Sequence, residues 1–144
     1  MAKVTAINIS EKKGVIKHPI EKGFFKVNHG LEGDAHAGNW HRQVSFLGEE
    51  SIEKMRATGV EGLCSGKFAE NITTEGIILY ELPIGTKLKI GEAVLEVTQI
   101  GKECHKGCEI MKLVGDCIMP REGIFARVLT DGYIKAGDEI VVEE

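Results

Sequence analysis

One short cysteine-containing segment in the C-terminal half has the side chains for covalent chemistry. Cys104 follows a predicted strand and opens a predicted helix, with Lys102 and His105 beside it and Cys108 one helical turn further on. A helix N-terminus and neighbouring cations favour the thiolate, which is the nucleophilic form of cysteine. Glu103 works in the opposite direction, because an adjacent carboxylate disfavours a second negative charge. The segment predicts a modestly activated thiol at Cys104.

Two other interpretations of this segment stay open from the residues alone. Free cysteine is often buried, so Cys104 and Cys108 fit a role in core packing equally well. A zinc site would use the same cysteines with His105 and Cys117. That spacing matches no common structural zinc pattern, in which ligands usually come in two close pairs.

A glycine-bounded loop over residues 33–42 gathers polar side chains of the kinds that bind ligands. It contains Asp34, His36, His41, Arg42 and the only tryptophan of the chain. Such a loop can present polar groups from a rigid scaffold. An arginine fork matches phosphate or pterin oxygens with two hydrogen bonds. A polar turn in which Asp34 caps local backbone amides explains the same residues without a ligand.

A third polar feature is the pair Glu70 and Asn71, which precedes a short strand-like run. Their side chains can orient a ligand by hydrogen bonds, but a polar turn before a strand accounts for them equally simply. The basic residues Lys102, Lys106, Arg121 and Arg127 are candidate anion contacts. Single basic residues are usually solvated, so Lys102 alone is weak evidence of a site.

Short alternating runs must form the scaffold that positions these residues. Apolar and polar residues alternate over 87–90 and 124–129, and 93–100 is largely apolar, patterns typical of strands. Gly91-Glu92 separates two of these runs, and Asp131-Gly132 is a strong short hairpin signal. The tail from Asp138 to Val142 is predicted to be a paired strand. Many short strands with glycine turns favour a barrel or a sandwich. Short helices are predicted from Glu49 to Ala57 and from Cys104 to Leu113.

Composition limits the class of protein. The length of 144 residues fits a single domain spanning 1–144. The net charge of -4 argues against a nucleic-acid partner, which would need a basic surface. No apolar stretch approaches the roughly 20 residues that cross a membrane, and the N-terminal residues lack a signal-peptide core. We therefore expect a cytoplasmic protein without a membrane partner, whose four cysteines are reduced thiols.

Taken together, four segments of the sequence resemble the MOSC domain, the module named for the C-terminus of molybdenum cofactor sulfurases. They cover most of the chain in the order that the family shows. The segments are GLEGDAHAGNWHRQVSFL (30–47), FAENITTEGI (68–77), LPIGTKLKIGEAVLEVTQIGKECHKGC (82–108) and REGIFARVLTDGYIKAGDEI (121–140).

The resemblance implies a mainly β, barrel-like fold with a few short peripheral helices. It also implies binding of the molybdenum cofactor and a reactive cysteine that carries sulfur, which maps onto Cys104. The family's Gly-Asp-x-His stretch, the arginine after it and its Glu-Asn pair map onto Gly33, Asp34, His36, Arg42, Glu70 and Asn71.

The function that follows from the resemblance is sulfur transfer during maturation of the cofactor. A cysteine desulfurase would donate sulfur to Cys104 as a persulfide, and a molybdoenzyme or a cofactor-biosynthesis protein would accept it. Pyridoxal phosphate is not expected on this chain, because it lacks the desulfurase domain of the full sulfurases. The alternative is a cofactor carrier without sulfur chemistry, in which Cys104 ligates molybdenum directly.

Overall fold

The alternating runs fold as strands in the computed structural model of the chain. The structure describes residues 2–12, 17–35, 37–40, 42–56, 70–101 and 123–143. The one α-helix of this described part, α1, covers Glu49–Arg56, and a short 3-10 helix covers Leu79–Glu81. The strands are β1 (Lys3–Ile9), β2 (His18–Ile20), β3 (Lys22–Lys26), β4 (Gly30–Leu31), β5 (Val44–Gly48), β6 (Ile72–Glu75), β7 (Lys87–Ile90), β8 (Ala93–Ile100), β9 (Ile124–Thr130), β10 (Gly132–Lys135) and β11 (Ile140–Glu143).

Eight of these strands form one sheet in the order β11-β7-β8-β9-β5-β6-β1-β2, and β10-β3-β4 form a second. Neighbouring strands are antiparallel except β5 and β6, which are parallel. A parallel pair needs a crossover connection, and α1 begins directly after β5 on the way to β6. This pairing places the starts of β5 and β6 side by side.

The core lies between the two sheets. Phe46 of β5 pairs with Ile72 of β6 and with Ile124 of β9, and all three side chains are fully buried. Phe25 and Ile134 from the smaller sheet belong to the same apolar cluster. Burying a side chain of this size stabilises a fold by about 1.5–3 kcal/mol, so the cluster fixes which face of each strand turns inward.

The opposite face of β5 and β6 is only partly apolar. Leu47 of β5 and Ile52 of α1 are fully buried, where the helix packs on these two strands. Asn8, Asn71 and Thr73 are also fully buried but are polar. Because successive side chains of a strand point to opposite faces, these residues belong to a second, polar layer rather than to the apolar core.

The mainly β fold and the first helix predicted from the sequence are confirmed. The predicted terminal strand is confirmed as β11, which pairs with β7. The second predicted helix, after Cys104, lies outside the described residues. An isolated bridge joins Lys3 to Glu139 near the start of β11. The strands are nevertheless ordered as an open series, so the predicted closed barrel stays a prediction. Within the described ranges no helix has the length and apolarity needed to cross a membrane.

We expect Gly30→Ala to lower the free energy of unfolding by about 3 kcal/mol, because it combines backbone strain with overlap. Gly30 has φ +106°, and a Cβ there would lie 2.6 Å from the carbonyl oxygen of Gln43. Gly137→Ala is the control, since Gly137 has φ +96° but no atom within 4 Å of such a Cβ. Its cost should be about 1 kcal/mol. Urea denaturation measures both, and equal costs would contradict the role of close packing at Gly30.

Candidate functional site

The strand register aligns one row of side chains across five neighbouring strands. Gln99 of β8 pairs with Phe125 of β9, and Phe125 pairs with Ser45 of β5. Asn71 donates its backbone N–H to the carbonyl oxygen of Ser45, and its own carbonyl oxygen accepts the backbone N–H of Asn8. We call this region, where β1 and β8 finish and β5, β6 and β9 begin, the site end of the sheet. The row spans roughly 19 Å at the usual strand spacing of about 4.8 Å.

The side chain of Asn71 joins three strands at the site end. Its Oδ1 accepts hydrogen bonds from the backbone N–H of Ser45 at 3.0 Å and from the Ser45 hydroxyl at 3.2 Å. Its Nδ2 donates to the carbonyl oxygen of Asn8 at 3.3 Å. Asn71 is fully buried, so these bonds are shielded from water. The predicted Glu-Asn pair therefore supplies a structural clamp through Asn71.

Glu70 begins a chain of hydrogen bonds whose direction can be assigned. The Thr73 hydroxyl donates to Glu70 Oε2 at 2.8 Å, so that hydroxyl must accept the bond from Asn8 Nδ2 at 3.0 Å. The orientation of the Asn8 amide is fixed as a result. Its Oδ1 is buried and receives no hydrogen bond in the described part of the chain. Native proteins rarely leave such an acceptor unused, so Asn8 Oδ1 indicates a donor supplied by a water or a ligand.

Asp34 forms a buried ion pair. Lys17 Nζ lies 2.7 Å from Asp34 Oδ1, and both side chains have 0% exposure. The same ammonium donates to the Ser10 hydroxyl at 3.0 Å, and Asp34 Oδ1 accepts the backbone N–H of Ser10 at 3.1 Å. These bonds attach the start of the 33–42 loop to the end of β1. Sequence reasoning missed Lys17, because a lysine is seldom buried and its partner is distant in sequence.

Arg42 is a half-buried cation held by neutral groups. Its Nε donates to Gln99 Oε1 at 3.0 Å, and its guanidinium carbon lies 5.4 Å from the centroid of the Phe125 ring. No carboxylate pairs with Arg42 among the residues described. Arg127, on β9, instead forms an ion pair with Glu96 at 2.7 Å. Arg42 is therefore a cation whose Nη groups can meet an oxyanion.

The structure brings four of the predicted cofactor-binding residues to the site end: Asp34, Arg42, Glu70 and Asn71. They are linked through Ser10, Asn8, Ser45, Phe125 and Gln99, most of which carry no functional signal in the sequence. Gly33, exposed with φ +89°, occupies the turn beside Asp34.

The other predicted site residues, His36, Lys102 and Cys104, lie outside the described ranges. The sequence also predicts that residues 33–42, the Glu70–Asn71 pair and Cys104 converge on one cleft, and the part of this prediction that concerns Cys104 stays a prediction. Within those ranges, His, Cys, Asp and Glu side chains form no group of three suited to a metal ion.

We expect Asp34→Asn to lower the free energy of unfolding by about 3–5 kcal/mol, because it leaves the Lys17 ammonium buried without its counter-ion. The control is Glu75→Gln. It breaks the Lys3–Glu75 pair, whose side chains are 54% and 42% exposed, and should cost less than about 1 kcal/mol. Urea denaturation of the two variants gives the comparison. A cost for Asp34→Asn no greater than that of the control would show that the ion pair does not hold the loop.

Residues 33–141 match the family model of the MOSC domain. The YuaD protein from Bacillus subtilis has a similar structure, with a TM-score of 0.80 and 21% identity over 97% of this chain and 94% of that one. YiiM from Geobacillus stearothermophilus has a TM-score of 0.77 and 19% identity over 100% of this chain and 76% of that one. YiiM from Escherichia coli has a TM-score of 0.70 and 17% identity over 99% of this chain and 70% of that one. These structural likenesses show a common fold. No curated protein matches the chain in sequence.

Proposed function

The chain belongs to the MOSC domain family, and we propose that it binds the molybdenum cofactor at the site end of its sheet and carries sulfur on Cys104. The family is associated with binding of this cofactor. The observation that carries the proposal is Arg42, a half-buried guanidinium that has neutral partners at the site end. A cation in this setting favours an anionic ligand, because a bound oxyanion supplies the missing charge.

The groups at the site end fit the chemistry of the cofactor. Its phosphate suits the Nη groups of Arg42, because a guanidinium fork matches two phosphate oxygens. Its pterin carries N–H groups, which suit the unused acceptor Asn8 Oδ1. The bound cofactor would supply a molybdenum centre able to exchange oxygen and sulfur ligands. Arg42 would hold the phosphate end, while Asn71 and the Lys17–Asp34 pair keep the surrounding strands and loop in place.

Chain connectivity supports a role for Cys104 at the same place. The backbone N–H of Gly101 donates to the carbonyl oxygen of Gly123 at 2.7 Å, beside the paired Gln99 and Phe125. Cys104 follows Gly101 by three residues, and an extended chain of that length spans at most about 11 Å. The proposed role of Cys104 at the site end is compatible with this limit.

The proposed sulfur chemistry is an exchange between two thiols. The Cys104 thiolate attacks the outer sulfur of a persulfide on a cysteine desulfurase, and the sulfur–sulfur bond of the donor breaks. The donor cysteine leaves as a thiolate, and Cys104 then carries the persulfide. A molybdoenzyme or a cofactor-biosynthesis protein would accept that sulfur. Two electrons from a pair of thiols, which are oxidised to a disulfide, would bring it to the sulfide level and release Cys104 as a thiolate. This scheme needs no pyridoxal phosphate on the chain itself.

A cofactor carrier without sulfur chemistry is the second candidate. Asp34 and Glu70 at the site end hold the fold, the first through Lys17 and the second through the Thr73 hydroxyl, and a carrier needs no further chemistry from them. In a carrier, Cys104 would act as a molybdenum ligand.

We expect Arg42→Ala to reduce the molybdopterin that copurifies with the protein from molybdate-fed cells by about 10- to 100-fold. A hydrogen bond to a charged group is worth about 1.5–3 kcal/mol, and each 1.4 kcal/mol is tenfold in affinity. Fluorescence of the oxidised pterin and metal analysis measure the loss. Arg127→Ala is the matched control, because Arg127 already has Glu96 as its partner. Full retention of pterin by Arg42→Ala would remove Arg42 from the site.

We expect Cys104→Ser to abolish persulfide formation in the presence of a cysteine desulfurase and cysteine. The persulfide is detected by mass spectrometry after alkylation, and Cys64→Ser is the control that should load sulfur as the parent does. Normal persulfide loading on Cys104→Ser would refute the sulfur-carrier mechanism. A parent that binds molybdenum but forms no persulfide, together with a Cys104→Ser variant that loses molybdenum, would establish the carrier function instead.

A further inference from the structure

Two arginines near the β8–β9 pair have opposite electrostatic settings. The Arg127 Nε donates to Glu96 Oε1 at 2.7 Å, and an Nη of the same arginine contacts that oxygen, so its charge is compensated. Arg42 reaches the same pair of strands at Gln99 and Phe125, neither of which carries charge. The contrast lies in the partners, a carboxylate in one case and an amide in the other.

The partners of Arg42 also restrict how it can sit. Gln99 Oε1 accepts from Arg42 Nε, while Gln99 Nε2 donates to the carbonyl oxygen of Gly101 at 2.7 Å. The second bond leaves the amide only one orientation, with its oxygen toward the arginine. The Phe125 ring, 6% exposed, lies against the guanidinium. Because the hydrogen bond to Gln99 uses Nε, the two Nη groups have no hydrogen-bond acceptor among the described residues and can bind a ligand.

We propose that Gln99 and Phe125 are positioning residues that present Arg42, without neutralising it, to a tetrahedral oxyanion such as the phosphate of the bound ligand. This inference rests on the proposed function, in which Arg42 meets an anion. A glutamate at position 99 would provide the same acceptor for Nε but would compensate the charge, as Glu96 does for Arg127. The neutral amide holds the arginine in place and leaves its charge for the ligand.

The proposal makes an ordering prediction that a merely structural role for Gln99 does not make. Gln99→Glu keeps an acceptor for Arg42 Nε, whereas Gln99→Met removes it. If Gln99 only supported the fold around Arg42, the methionine variant would be the more damaged in anion binding. If Gln99 preserves the charge of Arg42, the glutamate variant is the more damaged, because its carboxylate competes with the anion.

The whole protein is titrated with inorganic sulfate, and binding is monitored in NMR spectra by the side-chain Nε–H resonance of Arg42. In variants that lack Arg42, the backbone amide resonances of Gln99 and Phe125 report binding instead. Arg42→Lys identifies the resonance by its disappearance. We expect Gln99→Glu to raise the dissociation constant for sulfate about tenfold or more, which corresponds to full loss of one charge contact. Gln99→Met should raise it about threefold, which corresponds to partial loss. Phe125→Leu should move the resonance by removing the ring current and should weaken binding.

Thr130→Glu is the control for added charge, since Thr130 is an exposed residue of β9 at its other end. It should leave the dissociation constant within about twofold of the parent, because exposed charges more than about 10 Å apart are largely screened. Thermal unfolding shows which variants are folded. If Gln99→Glu does not fold, Gln99→Asp is compared with the neutral Gln99→Asn. A weaker sulfate affinity in the aspartate variant supports the proposal, and equal affinities overturn it.

The outcomes separate this inference from the proposed function. Parental sulfate affinity in Arg42→Ala would mean that Arg42 binds no anion, and both would fall. Loss of binding in Arg42→Ala with parental affinity in Gln99→Glu would overturn only the positioning role. A greater loss of sulfate affinity in Gln99→Met than in Gln99→Glu would also overturn the positioning role, because the absence of charge on the Gln99 amide would then not matter.

Discussion

The buried side chain of Asn71 is the interaction on which the arrangement of the site end depends. It bonds the backbone of β5 at Ser45 and the backbone of β1 at Asn8, from its own position at the start of β6. Removing it would leave buried backbone groups unpaired, and each such group costs about 1–3 kcal/mol. The parallel pairing of β5 with β6 begins beside this side chain, so the starts of both strands are held in one register.

Charge compensation divides the described residues around the sheet into structural and ligand-directed groups. Lys17 is matched by Asp34 in complete burial, and Arg127 is matched by Glu96 near the surface. A buried charge is costly without such a partner, so the Lys17–Asp34 pair stabilises the fold. Among the described residues Arg42 has no carboxylate partner, and its partial exposure lowers the cost of that charge. In the proposed function Arg42 supplies the charge for the ligand, while the ammonium of Lys17 is matched within the fold.

The polar layer at the site end shows a second kind of restraint. The Asn8 amide donates to the Thr73 hydroxyl, and that hydroxyl donates to Glu70, so both hydrogen bonds run in one direction. Such a chain specifies the orientation of every member, and it leaves the Asn8 oxygen as the point where the chain ends. Together with Arg42, this provides one acceptor and one cation at the ends of the same row of strands, a pair suited to an anionic ligand that also carries N–H groups.

The sequence alone was sufficient for the features that depend on local pattern. Alternation with period two predicted β7 and β9, and largely apolar runs predicted β8 and the terminal strand, because these patterns depend only on neighbouring residues. The four segments that resemble the MOSC domain indicated the family and directed attention to Asp34, Arg42 and the Glu-Asn pair. Only the tertiary structure showed that Asp34 pairs with Lys17 and that Arg42 rests on Gln99, 57 positions away. Such contacts follow from the register of the whole sheet. That register depends on how all the strands bury their apolar faces together, so it cannot be predicted from any single segment of the sequence.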